Sequence, residues 1–256
     1  MSESYIKFLG TGGARFVVAR QLRYSGGIYL HLKGMKVIMD PGPGTLVRCA
    51  ASRPPIDVTG LDALILTHAH IDHSNDVNIL IDGMTEGGLK HRGALFAPGE
   101  CLEGDNAVVL KYLRSFLERI EILSPGSEYR INDVRFSTSV RHLHPAETYG
   151  IIFDLDGIRL SFLVDTLFFE GLIESYRGTD VLVINVVRYE TLKPGVMHLD
   201  IGDVTKILQE IRPKKAILTH FGMTMLRARP RDVAAALTRE TGVEVMAAGD
   251  GMRVDL

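Results

Sequence analysis

Apolar residues recur along the chain in short runs bounded by Gly, Pro and Asp. This is the pattern of β-strands punctuated by turn residues. Runs of this kind at 6–9, 28–32, 36–39, 63–66, 95–97, 134–140, 149–155, 159–164, 181–186 and 216–218 predict strands. A different period appears after Asp200, where Ile201, Val204, Ile207, Leu208 and Ile211 fall on one helical face. Asp200 is the expected N-cap of that helix, and Pro213 stands just beyond its end. A second helix is expected from Pro230, a residue favoured in a first turn. A third is expected after His73, carrying Val77, Leu80 and Ile81. The early strands cluster with few helices between them. That argues against a regular βαβ repeat and for packed sheets with helices outside.

The two parts of the chain echo each other. Ile65-Leu66-Thr67-His68 returns as Ile217-Leu218-Thr219-His220, and a strand-end Asp precedes each, at Asp40 and Asp165. The order Asp-then-His in both parts points to pseudo-twofold halves. No linker or low-complexity segment divides the 256 residues, so residues 1–256 are expected to form one domain. The first residues carry an acid and no long apolar run, unlike a secretory signal. No apolar stretch approaches the ~20 residues of a membrane span. A cytoplasmic protein is expected.

Composition narrows the chemistry. With 29 basic and 31 acidic residues, the net charge of −2 gives no generally basic surface for nucleic acid. Two cysteines, Cys49 and Cys101, exclude a disulfide framework and a four-cysteine zinc site; both read as small core residues. The nine histidines carry more information, because three of them crowd into Thr67-His68-Ala69-His70-Ile71-Asp72-His73 after an apolar strand. Burying so many polar groups costs several kcal/mol unless they are paired or bind metal. By the two-residue strand period His68 and His70 point one way, and a turn near Ile71 swings Asp72 and His73 toward a neighbouring point. Imidazole with carboxylate suits zinc first, then iron or manganese.

This segment resembles the His-x-His-x-Asp-His signature of the metallo-β-lactamase superfamily. Further motifs of the superfamily follow in order: Val140-Arg141-His142-Leu143-His144-Pro145, Phe162-Leu163-Val164-Asp165-Thr166 and Ile217-Leu218-Thr219-His220-Phe221. The resemblance implies an α+β fold, a four-layer αββα sandwich with pseudo-twofold halves. It also implies a site of two divalent metal ions, zinc foremost and manganese or iron as alternatives, bridged by a hydroxide. His68, His70 and His144 would hold one metal; Asp72, His73 and His220 would hold the other; Asp165 would bridge them. His144 is preferred over His142, because Pro145 ends the strand there and the segment to Tyr149-Gly150 looks like the third-ligand segment of the superfamily. His142 is then an outer-layer residue, a substrate-side residue, or merely polar. Members are often homodimers.

Other residues are weighed individually. Asp40, before Pro41-Gly42-Pro43-Gly44, matches a position whose carboxylate supports a ligand histidine, but it is equally a turn residue. Gly10-Thr11-Gly12-Gly13 could approach a phosphate, yet lacks the Lys-Ser/Thr of a nucleotide loop. His31 and His91 have no clustered partners and read as surface or strand positions. The departure Ser74-Asn75-Asp76 replaces a Gly-rich continuation and has no assigned role.

The expected activity is metal-dependent hydrolysis. His198, in Val196-Met197-His198-Leu199-Asp200, resembles the extra histidine of the superfamily's phosphodiesterase branch, which includes tRNA 3′-processing nucleases and the phosphonate-pathway cyclic phosphodiesterase. The alternative is a solvated histidine near an N-cap. The resemblance makes Asp72 and His198 the catalytic residues, Asp72 aligning the nucleophile and His198 assisting the leaving side. Only 21 positions separate His144 from Asp165, with no room for a tRNA-gripping arm. A small or cyclic phosphodiester is therefore expected, with tRNA and membranes disfavoured as partners. Two alternatives are a lactone or thioester hydrolase on the same two metals, and a mononuclear iron oxidase or metal-binding protein without hydrolysis.

Overall fold

The computed structural model describes residues 4–190 and 196–256. Numbered in chain order, the first part of the chain forms β1 (Tyr5–Phe8), α1 (Ala14–Ala19), β2 (Ile28–Leu32), β3 (Met35–Met39), α2 (Thr45–Ala51), β4 (Ala63–Ile65), α3 (Ile71–Ser74), α4 (Val77–Met84), β5 (Ala94–Pro98), α5 (Lys111–Arg114) and β6 (Arg119–Leu123). The second part forms β7 (Glu128–Ile131), β8 (Val134–Arg141), β9 (Tyr149–Leu155), β10 (Ile158–Leu163), α6 (Gly171–Tyr176), β11 (Val181–Asn185), α7 (Ile201–Ile211), β12 (Lys215–Thr219), α8 (Met223–Arg227), α9 (Pro230–Thr241) and β13 (Glu244–Ala247). A last strand, β14 (Arg253–Asp255), returns to the first sheet beside β1.

The strands build two seven-stranded sheets, ordered β14-β1-β2-β3-β4-β5-β6 and β13-β12-β11-β10-β9-β8-β7. Followed from β14 and from β7, each runs through three antiparallel pairings and then three parallel ones. The pseudo-twofold expected from the sequence is present in this repeat. It makes β3 equivalent to β10, so Asp40 and Asp165 correspond. The Ile-Leu-Thr-His echo does not follow it: His68 comes after β4, whose counterpart is β11, whereas His220 comes after β12.

Apolar side chains fill three layers. Phe8, Leu30 and Phe96 from one sheet meet Phe136, Phe153 and Phe162 from the other. Behind the first sheet, Leu64 and Leu95 pack on Val77, Leu80 and Ile81 of α4. Behind the second, Leu182, Ile184 and Leu218 pack on Val204, Ile207 and Leu208 of α7 and on Leu237 of α9. Strands buried on both faces read as unbroken apolar runs, which is why the central strands stand out in the sequence. The resulting order helix, sheet, sheet, helix is the four-layer αββα sandwich of the α+β class. Asp156-Gly157 turns β9 into β10 with both residues at positive φ (39° and 95°), the conformation of a tight hairpin. This hairpin takes up most of the chain between His144 and Asp165. No helix among the described residues is long and apolar enough to cross a membrane.

Candidate metal centre

The histidine-rich segment leaves β4 at Ile65, so His68 and His70 lie beyond the strand, and His70 is the N-cap of α3. Their convergence comes from this loop and not from the strand period expected. Asp72 and His73 follow within the single turn of α3. The Ser74 hydroxyl donates to the carbonyls of Ala69 (3.0 Å) and His70 (3.1 Å), closing the turn back on the loop. The Asp76 carboxylate accepts from the backbone N–H of Leu46 at 3.1 Å. These bonds give the Ser74-Asn75-Asp76 departure a structural role.

Three groups of potential ligand atoms form, each with its atoms within 4.8 Å of one another: Asp40, His68 and His73, and beside it two triads, His68, His70 and His144, and Asp72, His73 and His220. Asp165 stands between them. Its Oδ2 lies 3.4 Å from His73 Nε2 and 3.4 Å from His220 Nε2, 3.9 Å from His68 Nε2 and 4.0 Å from His144 Nε2. Its Oδ1 accepts from Asn185 Nδ2 at 2.9 Å. His198, placed before α7, brings Nδ1 to 3.7 Å from the same Oδ2. All seven residues read from the sequence as ligands, and His198, are thus brought to one place.

Neighbouring groups decide which ring nitrogen faces inward. Asp40 Oδ1 accepts from the Thr67 N–H (2.7 Å), and Oδ2 accepts from the Thr67 hydroxyl (2.7 Å) and from His73 Nδ1 (3.0 Å). A carboxylate only accepts, so His73 Nδ1 carries a proton and the ring turns Nε2 to the centre. The Thr67 hydroxyl spends its proton on Asp40, so it accepts from His68 Nδ1 at 3.1 Å, with the same result. His144 Nδ1 donates to the Met197 carbonyl at 3.0 Å. The buried Nε2 atoms of His68, His73 and His220 have no hydrogen-bond partner. His70 Nδ1 donates to His144 Nε2 at 3.0 Å, and a cation bound among these nitrogens and carboxylates would take the place of the protons they share. The donor set of imidazole nitrogen and carboxylate oxygen fits zinc, manganese or iron and lacks the sulfur of soft-metal sites. Asp40, with three donors on its carboxylate, orients His73 and also opens the turn in which Gly42 N–H donates to its carbonyl at 2.8 Å.

Burial and mutual charge set the protonation states. Burial pushes His68 well below its ordinary value and takes His144 down to about 4. Burial also lowers His73, but the carboxylates of Asp40, Asp165 and Asp72 outweigh it and raise the ring well above the usual range. For Asp165 burial works upward, and the imidazoles of His220, His198 and His73 overcome it, holding the carboxyl well below its usual range. Asp72 is likewise lowered against burial by His73 and His220. His198 is lowered by burial.

The backbone bends to deliver these groups. Asp40 and His220 are non-glycine residues at φ 51° and 60°, a strained conformation found where surrounding structure enforces it. Gly13 explains the glycine-rich loop: a Cβ there would lie 2.3 Å from His220 Cδ2. The loop pairs with the strand end instead of a phosphate, with Phe221 N–H donating to the Thr11 carbonyl (2.8 Å) and Gly13 N–H to the Phe221 carbonyl (3.1 Å).

His142 does not join the triads. Its fully buried ring sits 3.2 Å from the Asp165 carbonyl through Nδ1 and 2.9 Å from the Tyr176 hydroxyl through Nε2, and burial takes its pKa down to about 4. His31 stacks near Tyr5 on β2 and His91 is exposed, both away from the centre. Cys49 and Cys101 are buried in the core. The sequence reading assigned no role to Thr67, Asn185 or Tyr176, and weighed Gly13 only within a loop that could approach a phosphate; of the first three only Asn185 carried a signal, as a polar residue inside an apolar strand.

Comparison with known proteins follows this geometry. The sequence model of the beta-lactamase superfamily domain matches residues 35–221. An uncharacterized protein of Methanocaldococcus jannaschii is 31% identical over 98% of this chain and 94% of its own length. A Ribonuclease Z of Methanopyrus kandleri is 34% identical over 52% of this chain and 44% of its own. Among solved structures, a diphosphatase from the PhnP family superposes with a TM-score of 0.71 at 20% identity, covering 99% of this chain and 97% of that one.

Proposed function

From the chain's membership of the beta-lactamase superfamily, a family of metal-dependent hydrolases, we propose that this protein hydrolyses a small or cyclic phosphodiester with two divalent cations, zinc foremost. One observation carries the proposal: Asp165 Oδ2 stands within 4.0 Å of imidazoles from both triads, as a carboxylate shared by two cations would. His68, His70 and His144 would hold one ion, Asp72, His73 and His220 the other. When bound, such ions supply Lewis acidity toward a phosphoryl oxygen and make water acidic enough to attack near neutral pH.

The side chains have separable tasks. Asp72, kept ionised by His73 and His220 against its burial, accepts a hydrogen bond and so aligns an attacking water. His198 is kept neutral at neutral pH by burial. A neutral ring carries one proton, which it offers as a hydrogen bond to a phosphoryl or leaving oxygen as charge builds there. It therefore stabilises the leaving side in preference to arriving as a stored acid.

Several exposed residues beside the site positions are apolar, Ile71 (72%), Leu143 (46%), Leu167 (41%) and Met197 (39%), with Arg141 the charged exception. Such a rim, on a chain of net charge −2, suits a compact organic diester better than a polyanion. The match to Ribonuclease Z over half the chain favours a second reading, cleavage of an RNA phosphodiester. A panel on zinc- or manganese-loaded protein tests both. We expect two ions per chain, turnover of bis(p-nitrophenyl) phosphate and a cyclic diester, and none of a tRNA precursor. Cleavage of the precursor alone would favour the second reading. Turnover of a lactone or thioester without any diester would overturn both, as would one iron per chain without hydrolysis. His198→Ala should lower turnover at least tenfold and leave the metal count at two.

A further inference from the structure

His142 and Tyr176 take no part in the chemistry above, yet both are buried, Tyr176 among Leu163, Leu172 and Ile173. Polar groups in such a place cost several kcal/mol unless satisfied, and these two are arranged to be satisfied together. The Asp165 carbonyl can only accept, so His142 Nδ1 carries the proton and donates to it at 3.2 Å. In the neutral ring Nε2 is then a lone pair, and the Tyr176 hydroxyl stands 2.9 Å from it and 3.1 Å from the Phe162 carbonyl, sharing its one proton between these two acceptors. Gly150 makes room for that hydroxyl, since a Cβ there would lie 1.7 Å from Tyr176 Oη.

The acceptor is the backbone of Asp165 itself. Two more bonds stitch the same segments: Leu143 N–H to the Thr166 hydroxyl (3.1 Å) and Leu167 N–H to the Leu143 carbonyl (2.9 Å). His142 thus sits two residues before His144, grips Asp165, and is itself gripped from α6. We infer that His142 is a positioning residue, through which Tyr176 registers the His144 segment against Asp165 and so sets where their side chains meet. The inference rests on the reading of His144 and Asp165 as metal ligands. Groups that orient ligands from behind are worth about 10–100-fold in metal affinity.

The test is a zinc titration of metal-free protein against a chromophoric chelator, with the melting temperature of each metal-free variant measured alongside. Tyr176→Phe removes one hydroxyl and keeps the ring. His142→Asn keeps an N–H near the place of Nδ1, while His142→Leu keeps no polar group. Zinc affinity of at least one position should fall tenfold or more in Tyr176→Phe and in His142→Leu, and less in His142→Asn. Titrations matching the unmodified protein within twofold, with only the melting temperature lowered, would overturn the inference and leave a structural pair. An unmodified protein that binds no zinc would instead overturn the ligand reading. Should His142→Leu fail to fold, Tyr176→Phe and His142→Asn decide.

Discussion

At the scale of single residues, closeness is the recurring device. Gly13 lies so near the His220 ring that a methyl group has no place. Its φ of −130° is ordinary, so Gly13→Ala tests sterics alone. It should displace His220 and lower the metal bound per chain relative to the unmodified protein, read by elemental analysis, with turnover lost. Protonation is the second device. His142 falls to about 4 inside the fold, against about 6.5 in an unfolded chain. Between those values the unfolded chain binds a proton that the native one does not, so stability rises with pH across that window. His73 works oppositely, its stabilisation being complete below about 6.5 and lost as pH rises through its elevated native value. Metal-free protein in urea should therefore unfold more easily as pH drops from about 6.5 toward 4, and His142→Asn should flatten that slope.

At the scale of elements, legibility followed burial. Central strands, apolar on both faces, were all read. The missed strands β6, β7, β13 and β14 are edge strands or their neighbours in sequence, and they mix charge with apolar residues, as Arg119-Ile120-Glu121 does on β6. Charge on edges is how sheets avoid pairing with other chains, and it erases the apolar signal. Helices with caps were legible for a local reason. Asp200 accepts from the Asp203 N–H at 3.1 Å while Asp203 accepts from the Asp200 N–H at 3.2 Å, a reciprocal box at the start of α7. Asp200→Ala should cost about 1 kcal/mol in urea unfolding, without changing the spacing of β12 and the His220 it delivers.

At the scale of the molecule, the proposed ligand residues come from both halves of the sandwich. Residues 68–73 follow β4 of the first sheet, and Asp165 and His220 follow β10 and β12 of the second. Bound cations would therefore link the two halves. Ions that bind only the native state stabilise it by about 2.7 kcal/mol at a hundredfold excess over Kd. Removing metal with a chelator should lower the melting temperature, and zinc should restore it. His220→Ala should shrink the restoring effect.

The sequence by itself determined the donor types, the crowding of His68, His70, Asp72 and His73, the apolar strands and thus the layered sandwich. All of these are local, since periodicity and spacing are properties of neighbours along the chain. The tertiary structure decided what depends on residues far apart. It oriented the rings of His68 and His73 through Thr67 and Asp40, and it gave His142, set aside in the sequence in favour of His144 but left without one role, its buried partners. It also revealed that the Asp pair obeys the internal symmetry while the Ile-Leu-Thr-His pair does not. The physical reason is that a ring's role follows from what stands behind it: Met197 behind His144, Asp165 and Tyr176 around His142. Those partners are 23 to 53 positions away in sequence, and only folding brings them together.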